Sequence, residues 1–136
     1  MMIRMKRAST ALTRDDKDSS DDADNAERVY AVAAEIFSLM STPMRLRIIS
    51  SLCRGQKTVG ELLEEIETTQ PNMSQHLNQL YRAGVLGRQR QGQSMVYRIQ
   101  NERAAMLCRA VCTQIAIEMD DPTSVAPEER LITPRH

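Results

Sequence analysis

The sequence predicts a mainly α fold with a small β-hairpin, a winged helix-turn-helix of five helices. Three observations carry that prediction. Between residues 25 and 83 successive stretches place apolar residues three and four apart, the period of amphipathic helices. Two strand-like pieces, Val85 to Arg90 and Ser94 to Ile99, flank Gln91-Gly92-Gln93, where Gly92 suits a tight hairpin turn. A last helical stretch, Glu102 to about Met119, is apolar nearly all round. Helix, turn, helix and a two-stranded wing, in that order, make up the arrangement.

Each element has a local reason. Residues 1–23, with DDKDSSDDAD, combine low hydrophobicity with mixed charge and are expected to be a disordered tail. The folded domain is expected over residues 24–119. Its first helix carries Val29, Val32, Ala33, Ile36, Phe37 and Met40 at helical spacing. Ser41-Thr42-Pro43 stops that helix, and Pro43 opens the second, where a proline costs nothing. Met44, Leu46, Ile48, Ile49 and Leu52 follow, up to a stop at Gly55. Thr58 caps a short third helix, and Glu61 three residues on completes a capping box ahead of Leu62, Leu63 and Ile66. Glu67-Thr68-Thr69 turns the chain into a fourth helix, with Pro71 in its first turn and Ala83-Gly84 at its end.

The last helix shows Ala104, Leu107, Val111 and Ile115 on one side and Met106, Ala110, Ile117 and Met119 on others. A helix apolar on every face has to be covered on every face. A domain of this size has no interior wide enough for that, so a second subunit is the expected cover. Residues 120–136, DDPTSVAPEERLITPRH, hold three prolines and are expected to be a flexible tail.

Composition narrows the function. With Phe37, three Tyr and no Trp among 136 residues, the core has to be aliphatic. No apolar run approaches the length of a membrane span, and the basic start MMIRMKRASTALTR has no apolar segment after it, so no membrane partner and no secretory signal are expected. Three cysteines fit no disulfide framework, which points to the cytoplasm and reduced thiols. No C-x-x-C motif, nucleotide loop or acid pair supports an enzyme, so neither an enzyme nor a cofactor is expected.

The formal net charge of zero is unevenly spread. Thr68 to Asn101 contains no Asp or Glu, yet it carries Arg82, Arg88, Arg90 and Arg98. That is the local positive surface of a nucleic-acid binder. The fourth helix adds to it. Met73, Leu77 and Leu80 form its apolar stripe, which leaves Asn72, Gln75, His76 and Gln79 on other faces. Amides, which donate and accept at once, suit the edges of bases.

From TPMRLRII through VGELL and QPNMSQHLNQLYRAGVL to the wing ending VYRI, roughly 60 residues resemble the ArsR/SmtB family of bacterial repressors. The resemblance implies a homodimer joined through its first and last helices, bound to palindromic double-stranded operator DNA. The fourth helix is similar to the family's recognition helix. Gln75 and Gln79, one turn apart, then reach adenines, while Asn72 and Ser74 lie near the helix start where bases are met. Thr68, Thr69 and Gln70 suit phosphate oxygens. Arg88 and Arg90, on one face of the wing strand, suit the backbone or the minor groove. His76 belongs to this reading face or is a structural histidine bonded near the wing.

The resemblance also implies an inducer. Family zinc sites draw on positions that here hold Asn101, Arg103, Gln114 and Ile117, or Thr58 and Gly60 for a Cys-x-Cys pair. None of these suits a metal, so no metal site is expected. Cys53, Cys108 and Cys112 remain. Neighbours at i and i+4 have Cβ atoms about 5–6 Å apart, too far for a relaxed disulfide at about 3.8 Å, so Cys108 and Cys112 do not pair directly. The thiol sensors of the family carry their cysteines at positions that here hold Ser50 and Ala116. One turn forward on the second helix and one turn back on the last gives Cys53 and Cys112 as the preferred pair, with Cys108 auxiliary.

The run LCRAVCTQIAIEMDD further resembles the repressors of sulfur-oxidation operons, which implies reactive sulfur species as inducer. The alternatives are a soft-metal or arsenite sensor using all three thiolates, a winged-helix protein-interaction module, and three cysteines that are simply buried in the core.

Overall fold

The computed structural model describes residues 12–132, with side chains from Ser19 onward. The chain divides after Ser38 into two compact units. The first is helical: α1 runs Leu12–Leu39 and shows Val29, Tyr30, Val32 and Phe37 on its surface. It begins inside the segment 1–23 that the composition reads as a disordered tail. No Gly or Pro interrupts residues 12–24, and extending a formed helix adds one hydrogen bond per residue without a new nucleus. Residues 1–11 of the expected tail lie outside the described residues.

The second unit holds α2 (Pro43–Leu52), β1 (Lys57–Thr58), α3 (Val59–Glu65), α4 (Gln70–Arg82), β2 (Leu86–Gln91), β3 (Ser94–Ile99) and α5 (Glu102–Asp120). Caps set most of these boundaries. The Thr42 hydroxyl accepts from Arg45 N at 3.1 Å to start α2 at Pro43. Thr58 and Glu61 form the reciprocal capping box of α3, at 3.1 and 2.9 Å. Gly84, at φ +83°, ends α4 in the left-handed region, and the turn is closed by Gly84 N to Tyr81 O and Val85 N to Leu80 O, both 3.0 Å.

The wing is a hairpin with a two-residue turn, Gly92-Gln93, between paired Gln91 and Ser94. Gly92 has φ +65°. The sheet has a third strand that periodicity missed, giving the order β1-β3-β2. β1 is two residues long, Lys57 opposite Tyr97 and Thr58 opposite Val96. Thr58 is extended in any case as the cap of α3, so the pairing needs no further change of backbone.

The core is aliphatic. Ile48, Ile49, Leu62, Met73, Leu77 and Leu80 are fully buried, with Leu52, Val85, Leu86, Val96 and Ala105 close to it. Each large side chain contributes about 1.5–3 kcal/mol through burial. Val85 joins four elements: besides the bond to Leu80, its carbonyl accepts from Gln100 N at 2.9 Å and Asn101 N at 3.1 Å.

Beyond α5 the chain is not loose up to Ile132, although composition predicts a flexible tail over 120–136. Two 3-10 turns, Pro122–Ser124 and Pro127–Glu129, fold it back. Glu118, only 2% exposed, receives Leu131 N on both carboxylate oxygens at 3.0 and 2.9 Å, Ile132 N at 3.1 Å and the Gln114 amide at 3.0 Å. Arg130 donates to the carbonyls of Val125 and Pro122 at 3.1 and 2.7 Å. These bonds hold the Glu118 carboxyl below its ordinary pKa, the Leu131 amide foremost. A buried carboxylate that needs donors is the physical reason for the order.

Candidate nucleic-acid interface and thiol cleft

α4 separates its residues as the sequence predicts. Met73, Leu77 and Leu80 face the core, while Gln70, Ser74 and Gln75 are exposed and Gln79 is half-buried. Three of the expected residues build the start of the helix. The Thr69 hydroxyl accepts from Asn72 N at 3.2 Å, and the Asn72 side-chain amide donates to the Thr68 hydroxyl at 2.8 Å. Thr68, Thr69 and Asn72 therefore stiffen the helix N-terminus, beside which Ser74 and Gln75 stand free for a partner.

His76 is placed differently from the amides. It is half-buried, and its Nδ1 accepts from Arg45 Nε of α2 at 3.1 Å. Arg45 is in turn fixed by the Leu39 carbonyl at 2.8 Å. Position 76 borders the buried stripe, one residue before Leu77, so the ring leans onto α2. Burial, then the neighbouring guanidinium, lowers its pKa and keeps it neutral. Its partner is a side chain of α2 rather than backbone near the wing.

The two wing arginines also differ. The Arg88 guanidinium lies over the Tyr81 ring, 3.9 Å from its centroid, at the C-terminal end of α4. A side-chain hydrogen bond with Tyr97 is the main reason its pKa rises above the ordinary value. Arg90, two residues nearer the hairpin turn, is exposed. Arg88 is thus held at the end of the helix opposite Gln70 and Ser74, and Arg90 is the arginine that the wing presents outward.

The three cysteines border one cleft. It measures about 340 Å³ and is lined by Ser50, Cys53 and Arg54 from the α2 side and by Cys108, Arg109, Cys112 and Thr113 from α5. Cys53 is half-buried, Cys108 buried and Cys112 exposed. Burial foremost, then the charge and hydrogen bond of Cys112 and the charge of Cys53, push the Cys108 thiol up to about 11. At neutral pH such a thiol stays protonated, whereas the thiolate is the nucleophile. Burial also raises Cys53, opposed by Arg109 and Arg54 and reinforced by Glu102. Among the described residues no three His, Cys, Asp or Glu side chains are grouped to hold one metal ion.

Sequence reasoning missed Arg54, Arg109, Ser50 and Thr113 as parts of this cleft. Arg109 and Thr113 each follow a cysteine on α5, and that adjacency was the available signal. Two positions read as failed metal ligands have structural work instead. Asn101 caps α5 by accepting from Arg103 N and Ala104 N at 3.0 and 3.1 Å, and Gln114 donates to Glu118. No helix among the described residues is long and apolar enough to cross a membrane.

Comparison with known proteins agrees with this architecture. Residues 42–86, from the cap of α2 to the start of β2, match the model of the arsR family of bacterial regulatory proteins. The HTH-type transcriptional regulator Rv0081 of Mycobacterium tuberculosis H37Rv is 33% identical over 103 residues, covering 75% of this chain and 90% of that one. Its crystal structure superposes with a TM-score of 0.61 over 70% of this chain and 96% of the other. The biofilm growth-associated repressor of Xylella fastidiosa Temecula1 is 34% identical over 85 residues, 60% of this chain and 75% of that protein. The crystal structure of the Xylella fastidiosa repressor BigR has a TM-score of 0.61 at 31% identity, over 67% and 93% of the two chains. A probable mercury resistance operon repressor of Streptomyces lividans is 30% identical over 98 residues, 70% of this chain and 78% of that one. The chain belongs to the arsR family of bacterial regulatory proteins, winged helix-turn-helix transcriptional regulators rather than enzymes.

Proposed function

We propose that the protein is a homodimeric repressor that binds a palindromic operator, of sulfur-oxidation genes, and releases it when its thiols react with reactive sulfur. One observation carries the switch: three thiols line a single cleft between α2, which packs against the DNA-reading α4, and α5. α5 supports the homodimer. It buries Ala104, Ala105 and Cys108 on one side and exposes Met106, Leu107 and Ile117 on the other, an apolar stripe that a second copy would cover. Gln75, Ser74 and Gln79 read base edges, Gln70 with Thr68, Thr69 and Asn72 sets the helix against phosphate, and Arg90 meets the backbone.

The chemistry is sulfur transfer followed by bridging. One thiol takes the outer sulfur of a persulfide, R–S–SH, becomes Cys–S–SH, and R–SH leaves. A second thiol attacks the inner sulfur, closing a Cys–S–S–Cys bridge and expelling hydrogen sulfide. Cys–S–SH meeting a second Cys–S–SH instead leaves three sulfurs in the bridge and again expels hydrogen sulfide. Cys53 and Cys112 are the proposed pair: both α5 thiols face Cys53 across the cleft, but Cys112 is exposed to a donor, whereas Cys108 is buried with its thiol pushed up and acts as auxiliary. Such a bridge fixes the separation of α2 and α5. Moving a repressor from mostly bound to mostly free takes about 5 kcal/mol of difference between the two states, within reach of a covalent link. A soft-metal sensor is less well supported, since the thiols are not grouped for one ion.

The test is a DNA-shift assay paired with intact-mass spectrometry. Persulfide should release the wild type and leave a bridged mass within one subunit. Cys53→Ser should bind DNA and stay bound, while Cys108→Ser should respond nearly as the wild type does. Release of Cys53→Ser at wild-type doses would overturn the mechanism, and release by mercuric ion or arsenite but not by persulfide would favour metal sensing.

A further inference from the structure

The arginines of the cleft walls oppose the rise of the Cys53 thiol, and they also present charge to whatever enters. Arg54 and Arg109 line the cleft together with the Ser50 and Thr113 hydroxyls. A second groove shares Ser50, Arg54 and Cys112 with it and adds Arg47. Two carboxylates are nearby. Glu65 is engaged by Arg54 at 2.6 Å, Lys57 at 3.3 Å and the Ser51 hydroxyl at 3.0 Å. Glu102 acts on Cys53 from the first turn of α5. Four cations, Arg47, Arg54, Lys57 and Arg109, therefore stand against two anions. Among the described residues Arg47 and Arg109 form no ion pair. Cys112 is the exposed thiol at this positive mouth.

We infer that the cleft selects a sulfur donor bearing a negative charge remote from its reacting sulfur, a carboxylate-bearing persulfide, and that Arg54 and Arg109 determine this specificity. The inference rests on the thiol reading above. The carboxylate docks on the two guanidiniums, where planar forks suit it. The Cys112 thiolate attacks the outer sulfur, the new S–S bond forms on Cys112, the donor's S–S bond breaks, and the departing R–S⁻ takes up a proton from water. The arginines take no part in bond making. They raise the local concentration of the anion and stabilise the negative charge that departs.

Three persulfides of similar size separate the charge from the chemistry: those of 3-mercaptopropionate, 2-mercaptoethanol and cysteamine, whose remote groups are negative, neutral and positive. The rate of sulfur uptake by the reduced full-length protein is read by intact-mass spectrometry. The expected order is negative, neutral, positive, spread over about tenfold at low salt. The spread should shrink in about 1 M salt, where the screening length is about 3 Å. Arg54→Gln with Arg109→Gln should abolish the ratio of negative-probe to neutral-probe rates, whatever change is common to all three probes, and an unchanged thermal melt controls for a damaged fold. Arg109→Lys should restore much of the difference that Arg109→Gln removes. Equal wild-type rates for the three probes would overturn charge selection and leave the thiol switch standing. No uptake from any probe would overturn both.

Discussion

α4 and α5 belong to one unit and divide their surfaces in opposite ways. α4 hides a narrow stripe of Met73, Leu77 and Leu80 and shows Gln70, Ser74 and Gln75. α5 hides two alanines, a thiol and a carboxylate, and shows Met106, Leu107, Val111, Ile117 and Met119. Helix propensity cannot produce the difference, since both segments are ordinary helix formers. What each leaves outside reflects what it is to meet: amides suit a partner with donors and acceptors fixed in a plane, and methionine and isoleucine suit a partner that excludes water.

The strongest way to break this contrast is to make α5 behave like α4. Met106→Asp with Ile117→Asp should abolish self-association in sedimentation experiments. Operator affinity should then fall at least about 100-fold, because the second half-site is no longer tethered to the first. A double variant that stays dimeric would show that the apolar face of α5 has another use.

A smaller effect is expected at the amide face. Gln75→Ala should weaken operator binding by about 1–3 kcal/mol and binding to random DNA much less. Equal losses on both would make Gln75 a phosphate contact. The wing sharpens the contrast further, because its two arginines should now separate. Arg90→Ala should lower the slope of log affinity against log salt by about one unit. Arg88→Ala should leave that slope nearly unchanged and lower thermal stability instead, because its guanidinium is engaged with the Tyr81 ring. A full unit of slope lost with Arg88→Ala would return it to the DNA surface.

The smallest effect concerns His76. Its folded-state pKa is depressed below 6.5, so the unfolded chain takes up the proton first as pH falls. Stability should therefore be lost on acidification from about pH 6.5 toward the depressed value, and be unaffected by this group above it. Thermal melts from pH 7 to 5 should fall more steeply for the wild type than for His76→Gln, whose amide oxygen still accepts from Arg45. Parallel slopes would remove His76 as the cause.

The sequence was most informative where neighbours along the chain decide the outcome. The α4 stripe, the Thr58–Glu61 box, Pro43 at the start of α2 and Gly92 in the turn are all local, and each is found as read. It was least informative where the deciding partner is distant. Arg45 lies 31 residues from His76. Tyr81 claims Arg88 from the end of another element, and Glu118 captures amides 13 and 14 residues further on. β1 is too short to show any period. Cysteine spacing along the second and last helices is readable from the chain, but the arginines beside Cys53 depend on side-chain directions that spacing does not encode.

The peptide of Val85 has a mechanical meaning. Its N–H ends α4, and its carbonyl holds the residues that leave β3 and begin α5. α4, the wing and the root of α5 are pinned at one point, so little slack separates them. A rigid body pinned in this way works as a crank. A turn of 5° at α5 would move a point about 17 Å away, half of the 34–36 Å between successive major-groove faces, by about 1.5 Å. In a dimer the two cranks turn in opposite senses, and the span between reading heads changes by up to twice that amount. On the proposed switch, a small change of angle at the thiol cleft is thereby geared up to a mismatch that an operator of fixed pitch will not tolerate.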